Sequence, residues 1–285
     1  MLWREIIEKS SRYLESKGLD DGASAAEFLA ARMLRNGRGA LASISNQEIA
    51  PRHLDAMRRG VARLASGEPL QYIIGEWDFR TLTLKCDKRA LIPRPETEGL
   101  VSLVLDYLNT SSPDRPFILD AGTGTGAIIL SIAAEYKGDA VLLGTDISED
   151  AISLAKENAQ RLNLADKVEF VVMDGLDDFD EPGMLDIIVS NPPYIASGEC
   201  DTLPSRVRDY EPRLALDGGD EGLDFYDRYL ADALNLLKED GAVFFEIGET
   251  QGEAVSRLMR EYGFTDIKIR KDLAGRDRYA SARLH

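Results

Sequence analysis

The sequence predicts an α/β protein with a Rossmann-like open sheet, preceded by a small N-terminal helical bundle. Short β-branched, apolar runs alternate with helical segments from residue 117 onward, which is typical of a parallel sheet with crossover helices. A glycine-rich loop follows the first apolar run, and an acidic residue ends the second run about twenty residues later. Before residue 67 the apolar spacing is helical instead.

Residues 1–66 are predicted to form the bundle. Ile6, Ile7, Tyr13 and Leu14 give the first segment an apolar stripe, and a further helix is predicted over Pro51–Ala65. No catalytic constellation is present in this segment. Its arginine cluster, Arg52, Arg58, Arg59 and Arg63, is more typical of a solvated face than of a binding site. The alternative is that the bundle is a substrate-docking domain.

Residues 67–90 are predicted to be a linker with a β-hairpin, whose arms are Gln71–Ile74 and Phe79–Cys86. The catalytic domain is predicted to cover residues 91–285. It opens with Leu91–Glu98, in which two prolines exclude a helix until about Pro95. Arg94 in this stiff loop could reach an anion or a carboxylate, or could be an ordinary surface arginine.

A candidate cofactor loop lies between a predicted strand, Phe117–Asp120, and a predicted helix, Ala127–Tyr136. Glycines in such a loop let the backbone approach a ligand closely. The residues of the loop predicted to bind the cofactor are Gly122, Thr123, Gly124, Thr125 and Gly126.

A second strand, Val141–Thr145, leads to Asp146 and Ile147, where a carboxylate can accept both ribose hydroxyls of an adenosine. Dinucleotide and S-adenosylmethionine sites share this layout. Asp120, just before the loop, favours S-adenosylmethionine, because a carboxylate suits its ammonium group better than it suits a phosphate.

The next helix is predicted over Glu149–Leu162 with Ser148 as its N-cap. A third strand, Val168–Met173, precedes Asp174 and Gly175. Asp174 could accept a hydrogen bond from the adenine amino group, or it could be a turn acid.

A fourth strand, Leu185–Ser190, ends in Asn191-Pro192-Pro193-Tyr194, which we call the shelf. Two prolines make this segment stiff. The Asn191 side-chain oxygen and the Pro192 carbonyl can accept hydrogen bonds from a planar NH2 group, and Tyr194 offers a face for stacking. The alternative is a surface turn. Since strand ends in an open sheet share one rim, we expect Asn191 to border the cofactor site as well.

The remaining elements complete the α/β pattern. A polar, irregular stretch after the shelf leads to a helix, and two short strands suit an antiparallel edge. The predicted elements are Leu223–Leu237, Ala242–Ile247, Gln251–Tyr262, Ile267–Arg270 and Arg278–Ala282.

Composition and charge limit the function classes. Residues 1–85 contain 13 Lys and Arg against 11 Asp and Glu, whereas the remainder contains 21 against 39. An acidic domain lacks the basic face that phosphate contacts need, so no direct nucleic-acid binding is expected. The two cysteines lack metal-ligand spacing, so no metal site is expected. The sequence contains no apolar run that could span a bilayer and no signal-peptide core, so a cytoplasmic protein without membrane attachment is expected.

These motifs resemble the bacterial HemK/PrmC methyltransferases, which methylate the glutamine of the Gly-Gly-Gln loop in peptide chain release factors. The similarity runs from about Pro69 to the C-terminus. It rests on Leu91–Glu98, Asp120–Gly126, Asn191–Tyr194, Tyr210–Leu216, Gly218–Gly222 and Asp272–Arg278.

The resemblance implies a class I S-adenosylmethionine-dependent methyltransferase domain that converts the cofactor to S-adenosyl-L-homocysteine. It implies release factors as the protein partner and glutamine as the acceptor. Asn191, Pro192 and Tyr194 would then be catalytic, and Pro193 and Arg94 would help to bind the substrate.

The sequence is also compatible with four alternatives: a ribosomal-protein glutamine methyltransferase, an adenine amino methyltransferase acting on nucleic acid, a nicotinamide oxidoreductase, and a non-catalytic adenosine-binding protein. An adenine amino methyltransferase would use the same shelf, whereas the ribosomal-protein enzymes differ in the segment that corresponds to Pro93–Thr97. An oxidoreductase would leave the shelf unexplained, and a binding protein would not need Asn191.

Overall fold

The computed structural model describes residues 1–34, 37–111, 114–177, 179 and 181–285. The described chain divides into two compact units. The first unit comprises Met1–Glu76 and Pro204–Tyr210, and the second comprises Trp77–Leu203 and Glu211–His285.

The first unit is helical. Its helices are α1 (Trp3–Ser16), α2 (Gly22–Leu34), α3 (Leu41–Ile44), α4 (Pro51–Ala65) and α5 (Leu70–Ile74), with short helical turns at Arg38–Ala40 and Ser205–Arg208. Helix α1 buries Trp3, Ile6 and Leu14, which recur at helical spacing on one face. This confirms the prediction for Ile6 and Leu14. Tyr13 was expected on this face but is 46% exposed.

The predicted hairpin arm Gln71–Ile74 is wrong, since these residues belong to α5. Pro69 precedes the helix, and Gly75 ends it in the left-handed region at φ 81°, with its N–H donating to the Gln71 carbonyl at 2.8 Å. Four apolar residues are too few to distinguish helical from strand spacing. The hairpin itself consists of β1 (Glu76–Phe79) and β2 (Leu82–Lys85).

The second unit is built on a seven-stranded sheet. Its strands are β3 (Phe117–Ala121), β4 (Val141–Asp146), β5 (Glu169–Val172), β6 (Leu185–Ser190), β7 (Leu237–Glu246), β8 (Thr265–Lys271) and β9 (Asp277–Arg283). Their order across the sheet is β5-β4-β3-β6-β7-β9-β8. The first five strands in this order pair in parallel, and β9 pairs antiparallel with both β7 and β8. This confirms the predicted α/β class and its antiparallel edge.

Helices cover both faces of this sheet. Neighbouring residues of β3 show this, because Ile118 packs into one apolar cluster and Leu119 into the other. The helices of the second unit are α6 (Thr97–Ser111), α7 (Ala127–Glu135), α8 (Glu149–Arg161), α9 (Asp224–Leu236) and α10 (Gly252–Glu261), with short turns at Ser197–Cys200 and Arg213–Ala215. Within the described ranges, none of the helices has the length and apolar character that crossing a membrane requires.

Helix α8 begins with the N-cap predicted from the sequence. The Ser148 side chain accepts a hydrogen bond from the Ala151 N–H at 3.2 Å. We expect Ser148→Ala to lower the free energy of unfolding by about 1 kcal/mol, because this N–H loses its partner. Denaturant titration measures the change. Ser148→Thr keeps the hydroxyl and should retain most of the stability; equal losses in both variants would contradict the capping role.

Candidate active site

The glycine loop leaves the carboxyl end of β3 in a conformation that glycine favours. Gly122, Gly124 and Gly126 have φ angles of 73°, 56° and 82°. The Thr123 N–H donates to the Thr145 carbonyl at 2.8 Å, and the Gly124 N–H donates to Asp146 Oδ2 at 2.9 Å. The loop is therefore held by the adjacent strand β4.

Asp146 is both the end of β4 and the anchor of the loop. Its second oxygen, Oδ1, accepts from the Ser148 N–H at 3.0 Å. Burial raises the pKa of Asp146, although the backbone hydrogen bonds from Ser148 and Gly124 oppose this shift. Next to it, the Ile147 side chain is 48% exposed and offers an apolar surface at the same strand end.

Asp120 lies beneath the glycine loop and is fully buried. Its Oδ2 accepts from the Thr123 hydroxyl at 2.7 Å. Burial raises the pKa of Asp120 to about 7. In this structure Asp120 therefore supports the loop from below.

A cavity of about 340 Å³ lies over the carboxyl ends of the strands. Asp120, Gly126, Pro192 and Tyr194 are not among the residues that line it. The predicted site residues that do line it are Arg94, Gly122, Thr123, Gly124, Thr125, Asp146, Ile147, Asp174, Gly175, Asn191 and Pro193. Four successive strand ends thus converge on one rim, as the sequence predicted.

The cavity fits a nucleoside-bearing cofactor such as S-adenosylmethionine. The glycine loop lets a ligand approach the backbone closely, and the Asp146 carboxylate lines the same wall as Ile147. A carboxylate that accepts from hydroxyls and an apolar side chain beside it match a ribose and an adenine ring. Asp174 is also present, but its Oδ1 is ion-paired with Arg228 Nη1 at 2.8 Å.

Asn191 of the shelf belongs to a series of hydrogen-bonded side chains that could not be predicted from the sequence. Asn191 Nδ2 donates to the Thr97 hydroxyl at 3.1 Å, and that hydroxyl donates to Glu246 Oε2 at 2.6 Å. Glu246 ends β7 and is 1% exposed. The signal available in the sequence was Thr97 itself, which lies within the Leu91–Glu98 motif.

The Gly218–Gly222 motif packs directly against the backbone of the shelf. A Cβ at Gly218 would lie 2.6 Å from the Pro193 carbonyl oxygen, and a Cβ at Gly222 would overlap the Tyr194 carbonyl oxygen. Gln251 Nε2 donates to the same Tyr194 carbonyl at 2.9 Å. Only glycine allows this close approach.

The Tyr194 side chain is fixed by the Asp272–Arg278 motif. Arg278 Nη1 donates to the Ile247 carbonyl at 3.0 Å and approaches the Tyr194 hydroxyl at 3.5 Å. Asp272 pairs with Arg278 at 3.6 Å. Burial raises the pKa of Tyr194 to about 12, so the ring is neutral at physiological pH.

Glu211 joins two further motifs. It is 5% exposed, and its carboxylate accepts from the Ile92 N–H at 3.1 Å and from the Arg94 guanidinium. The carboxylate partner expected for Arg94 is thus supplied by the chain itself. This pair fixes the loop before α6 at the wall of the cavity.

We expect Gly222→Ala to lower kcat by about tenfold, because roughly 1–3 kcal/mol of overpacking would displace the shelf. Cofactor affinity should change little. Gly263→Ala is the matched control, since its φ of 82° is similar to the 71° of Gly222 and nothing lies within 4 Å of an added Cβ. Steady-state kinetics and calorimetry test this; equal effects of the two substitutions would show that backbone strain alone matters.

Comparison with known proteins extends these observations. A family model described as "Methyltransferase domain" matches residues 116–262, and one described as "PrmC N-terminal domain" matches residues 5–75. The hMettl16 catalytic domain in complex with the MAT2A 3′UTR hairpin 6 is similar in fold, with a TM-score of 0.61 at 20% identity over 79% of this chain and 81% of that one.

Curated relatives match nearly the whole chain. The MTRF1L release factor glutamine methyltransferase of Homo sapiens is 34% identical over 98% of this chain and 86% of its own length. The release factor glutamine methyltransferase of Lactococcus lactis is 38% identical over 99% of this chain and 100% of its own length. The chain therefore belongs to the release factor glutamine methyltransferase family.

Proposed function

We propose that this protein methylates the side-chain amide nitrogen of the glutamine in the Gly-Gly-Gln motif of peptide chain release factors, with S-adenosylmethionine as methyl donor. Family membership supports the substrate. The observation that carries the chemistry is that one cavity is lined both by the glycine loop with Asp146 and by Asn191 of the shelf.

The residues that would hold the cofactor are those of the loop and of the end of β4. Asp146 would accept from the ribose hydroxyls, Ile147 would contact the adenine ring, and the glycine loop would contact the amino-acid portion. S-adenosylmethionine, when bound, supplies an electrophilic methyl group on a positively charged sulfur.

The shelf would orient the acceptor. An amide nitrogen is a weak nucleophile because its lone pair is delocalised, so position matters more than activation. Asn191 Oδ1 and the Pro192 carbonyl would accept from the two N–H groups of the substrate glutamine, and Tyr194 would stack on its amide plane. Held in this way, the substrate nitrogen would form a bond to the methyl carbon while that carbon's bond to the cofactor sulfur breaks, and the nitrogen would then release a proton to water.

The test is transfer of labelled methyl to an intact release factor, followed by identification of the modified residue. We expect label on the Gln of Gly-Gly-Gln and none when that Gln is replaced by Glu. Label entering the Glu variant, a ribosomal protein in preference to the release factor, or adenine in DNA or RNA would overturn the assignment.

We further propose that the helical first unit docks the release factor and that the reaction occurs in the cytoplasm, where release factors act. Arg52 and Arg59 of α4 are exposed and, seven residues apart, share one helical face. Reversing both to Glu should raise KM for the whole release factor by about tenfold, since charges at an interface rim steer association.

The comparison that tests docking uses two substrates. KM for a short Gly-Gly-Gln peptide should stay unchanged in the α4 variant, because the peptide lacks the remainder of the release factor, which would contact α4. The same reversal at Arg257 and Arg260 of α10 is the control. An equal rise for the peptide and the whole protein would contradict docking through α4.

A further inference from the structure

Three residues from separate elements form the hydrogen-bonded chain behind the shelf. Asn191 follows β6, Thr97 begins α6, and Glu246 ends β7. The donor–acceptor distances are 3.1 Å from Asn191 Nδ2 to Thr97 Oγ1 and 2.6 Å from Thr97 Oγ1 to Glu246 Oε2. Thr97 is 4% exposed and Glu246 is 1% exposed, so bulk water does not compete for the bond between them.

The chemistry of the three side chains determines which of them donates and which accepts in each hydrogen bond. An ionised carboxylate only accepts, so the single hydroxyl hydrogen of Thr97 must point toward Glu246. The Thr97 oxygen is then available only as an acceptor, and the group of Asn191 that can satisfy it is the Nδ2 amide. The remaining polar atom, Asn191 Oδ1, is left as an acceptor for a ligand in the cavity that Asn191 lines.

We propose that Thr97 and Glu246 are positioning residues that fix the orientation of the Asn191 amide, so that the site presents an acceptor and selects a substrate bearing an NH2 group. This inference rests on the proposed function and adds the device that sets its specificity. If the amide of Asn191 were turned over, it would present Nδ2 and would favour a carboxylate over an amide.

The direction of these hydrogen bonds depends on pH, because it depends on whether Glu246 is ionised. Burial raises the pKa of Glu246 to about 7, while Arg278 and Arg94 favour its ionised form. Above this value the ionised carboxylate enforces the direction. Below it, a protonated Glu246 can donate to Thr97, which frees the hydroxyl to donate to Asn191 Oδ1. The polar groups that face Glu246 are Arg278, Arg94, Glu96, Tyr194, Thr97, Tyr226 and Tyr279.

Thr97→Val removes the hydroxyl while keeping the shape of the side chain. We expect kcat to fall by about tenfold, less than the loss expected when a polar group in direct contact is removed. S-adenosylmethionine affinity should stay unchanged, and Thr97→Ser should restore turnover to within about threefold of the parent because it restores the hydroxyl. Thr110→Val on the same helix is the matched control, since among the described residues the Thr110 hydroxyl donates to the carbonyls of Asp106 and Tyr107, both in α6.

A double-mutant cycle separates positioning from a merely structural role. If Thr97 acts through Asn191, the variant that combines Thr97→Val with Asn191→Ala should be no slower than Asn191→Ala alone. Additive losses would overturn the proposal, as would equal defects in Thr97→Ser and Thr97→Val. Binding of Gly-Gly-Glu peptide relative to Gly-Gly-Gln peptide should rise in Thr97→Val, and an unchanged ratio would count against selection by Asn191.

Glu246→Gln provides a test that does not need Thr97→Val to fold. The turnover of the parent should fall as the pH falls through about 7, because Glu246 becomes protonated. The turnover of Glu246→Gln should not fall in this pH range, because the variant lacks the titrating carboxyl group. Nitrogen-15 spectra of the Asn191 side-chain amide should shift over the same pH range in the parent but not in the variant. This measurement uses no substrate, so it distinguishes failure of the inference from failure of the proposed function. A shift that persists in Glu246→Gln would overturn the role of Glu246.

Discussion

Replacing Asn191 with alanine is expected to lower kcat by about a hundredfold or more, the loss typical when one oriented polar group at a reacting centre is removed. The substrate nitrogen gains positive charge as the methyl group is transferred, and its hydrogens become better donors. The hydrogen bond to Asn191 Oδ1 is therefore strongest in the transition state, so its removal lowers kcat more than it weakens substrate binding. S-adenosylmethionine affinity should change little.

Single-turnover transfer of labelled methyl to a release factor measures the effect, and calorimetry measures cofactor binding. Asn235→Ala is the control, because Asn235 is an exposed residue of α9 away from the cavity lining. Near-normal turnover of Asn191→Ala would remove the shelf from the mechanism. A parallel loss of cofactor affinity would show instead that Asn191 acts through the cofactor site.

The glycine loop, Asp146 and the shelf could be predicted from the sequence because each lies at or directly after the end of a recognisable strand. The glycine loop and the shelf each follow a recognisable buried strand, and parallel strands bring their ends to one rim. Asp146 was predicted for the same reason, since it ends the strand beside the loop. These features require only the order of the elements.

The residues that hold the shelf could not be predicted in this way. Asn191 and Thr97 are 94 residues apart, and Thr97 and Glu246 are 149 apart, so their contacts depend on how the strands are ordered in the sheet. The ion pair between Asp174 and Arg228 joins a loop after β5 to α9 for the same reason. The strand prediction for Gln71–Ile74 was wrong for a different reason. The spacing of apolar residues in so short a segment is compatible with either a helix or a strand.

Asp146 is the cofactor residue with the largest expected effect, because it has two roles in the structure. Its oxygens already accept from the Gly124 and Ser148 N–H groups, which fixes the glycine loop and orients the carboxylate. We propose that the same oxygens accept from the ribose hydroxyls when the cofactor binds. Loss of the side chain would therefore remove ligand contacts and loosen the loop that surrounds the ligand.

We expect Asp146→Ala to weaken S-adenosylmethionine binding by a hundredfold or more, since two charge-assisted hydrogen bonds are worth roughly 1.5–3 kcal/mol each when buried. Asp146→Asn keeps one acceptor oxygen and should show a smaller loss, while the exposed Asp166→Ala should bind as the parent does. Isothermal titration calorimetry at several pH values measures all four proteins. Burial raises the pKa of Asp146, so this carboxylate becomes protonated at a higher pH than an ordinary aspartate does. The affinity of the parent for S-adenosylmethionine should therefore begin to fall at that higher pH. Asp146→Ala should not show this pH dependence. Parent-like affinity in Asp146→Ala would exclude this carboxylate from the cofactor site.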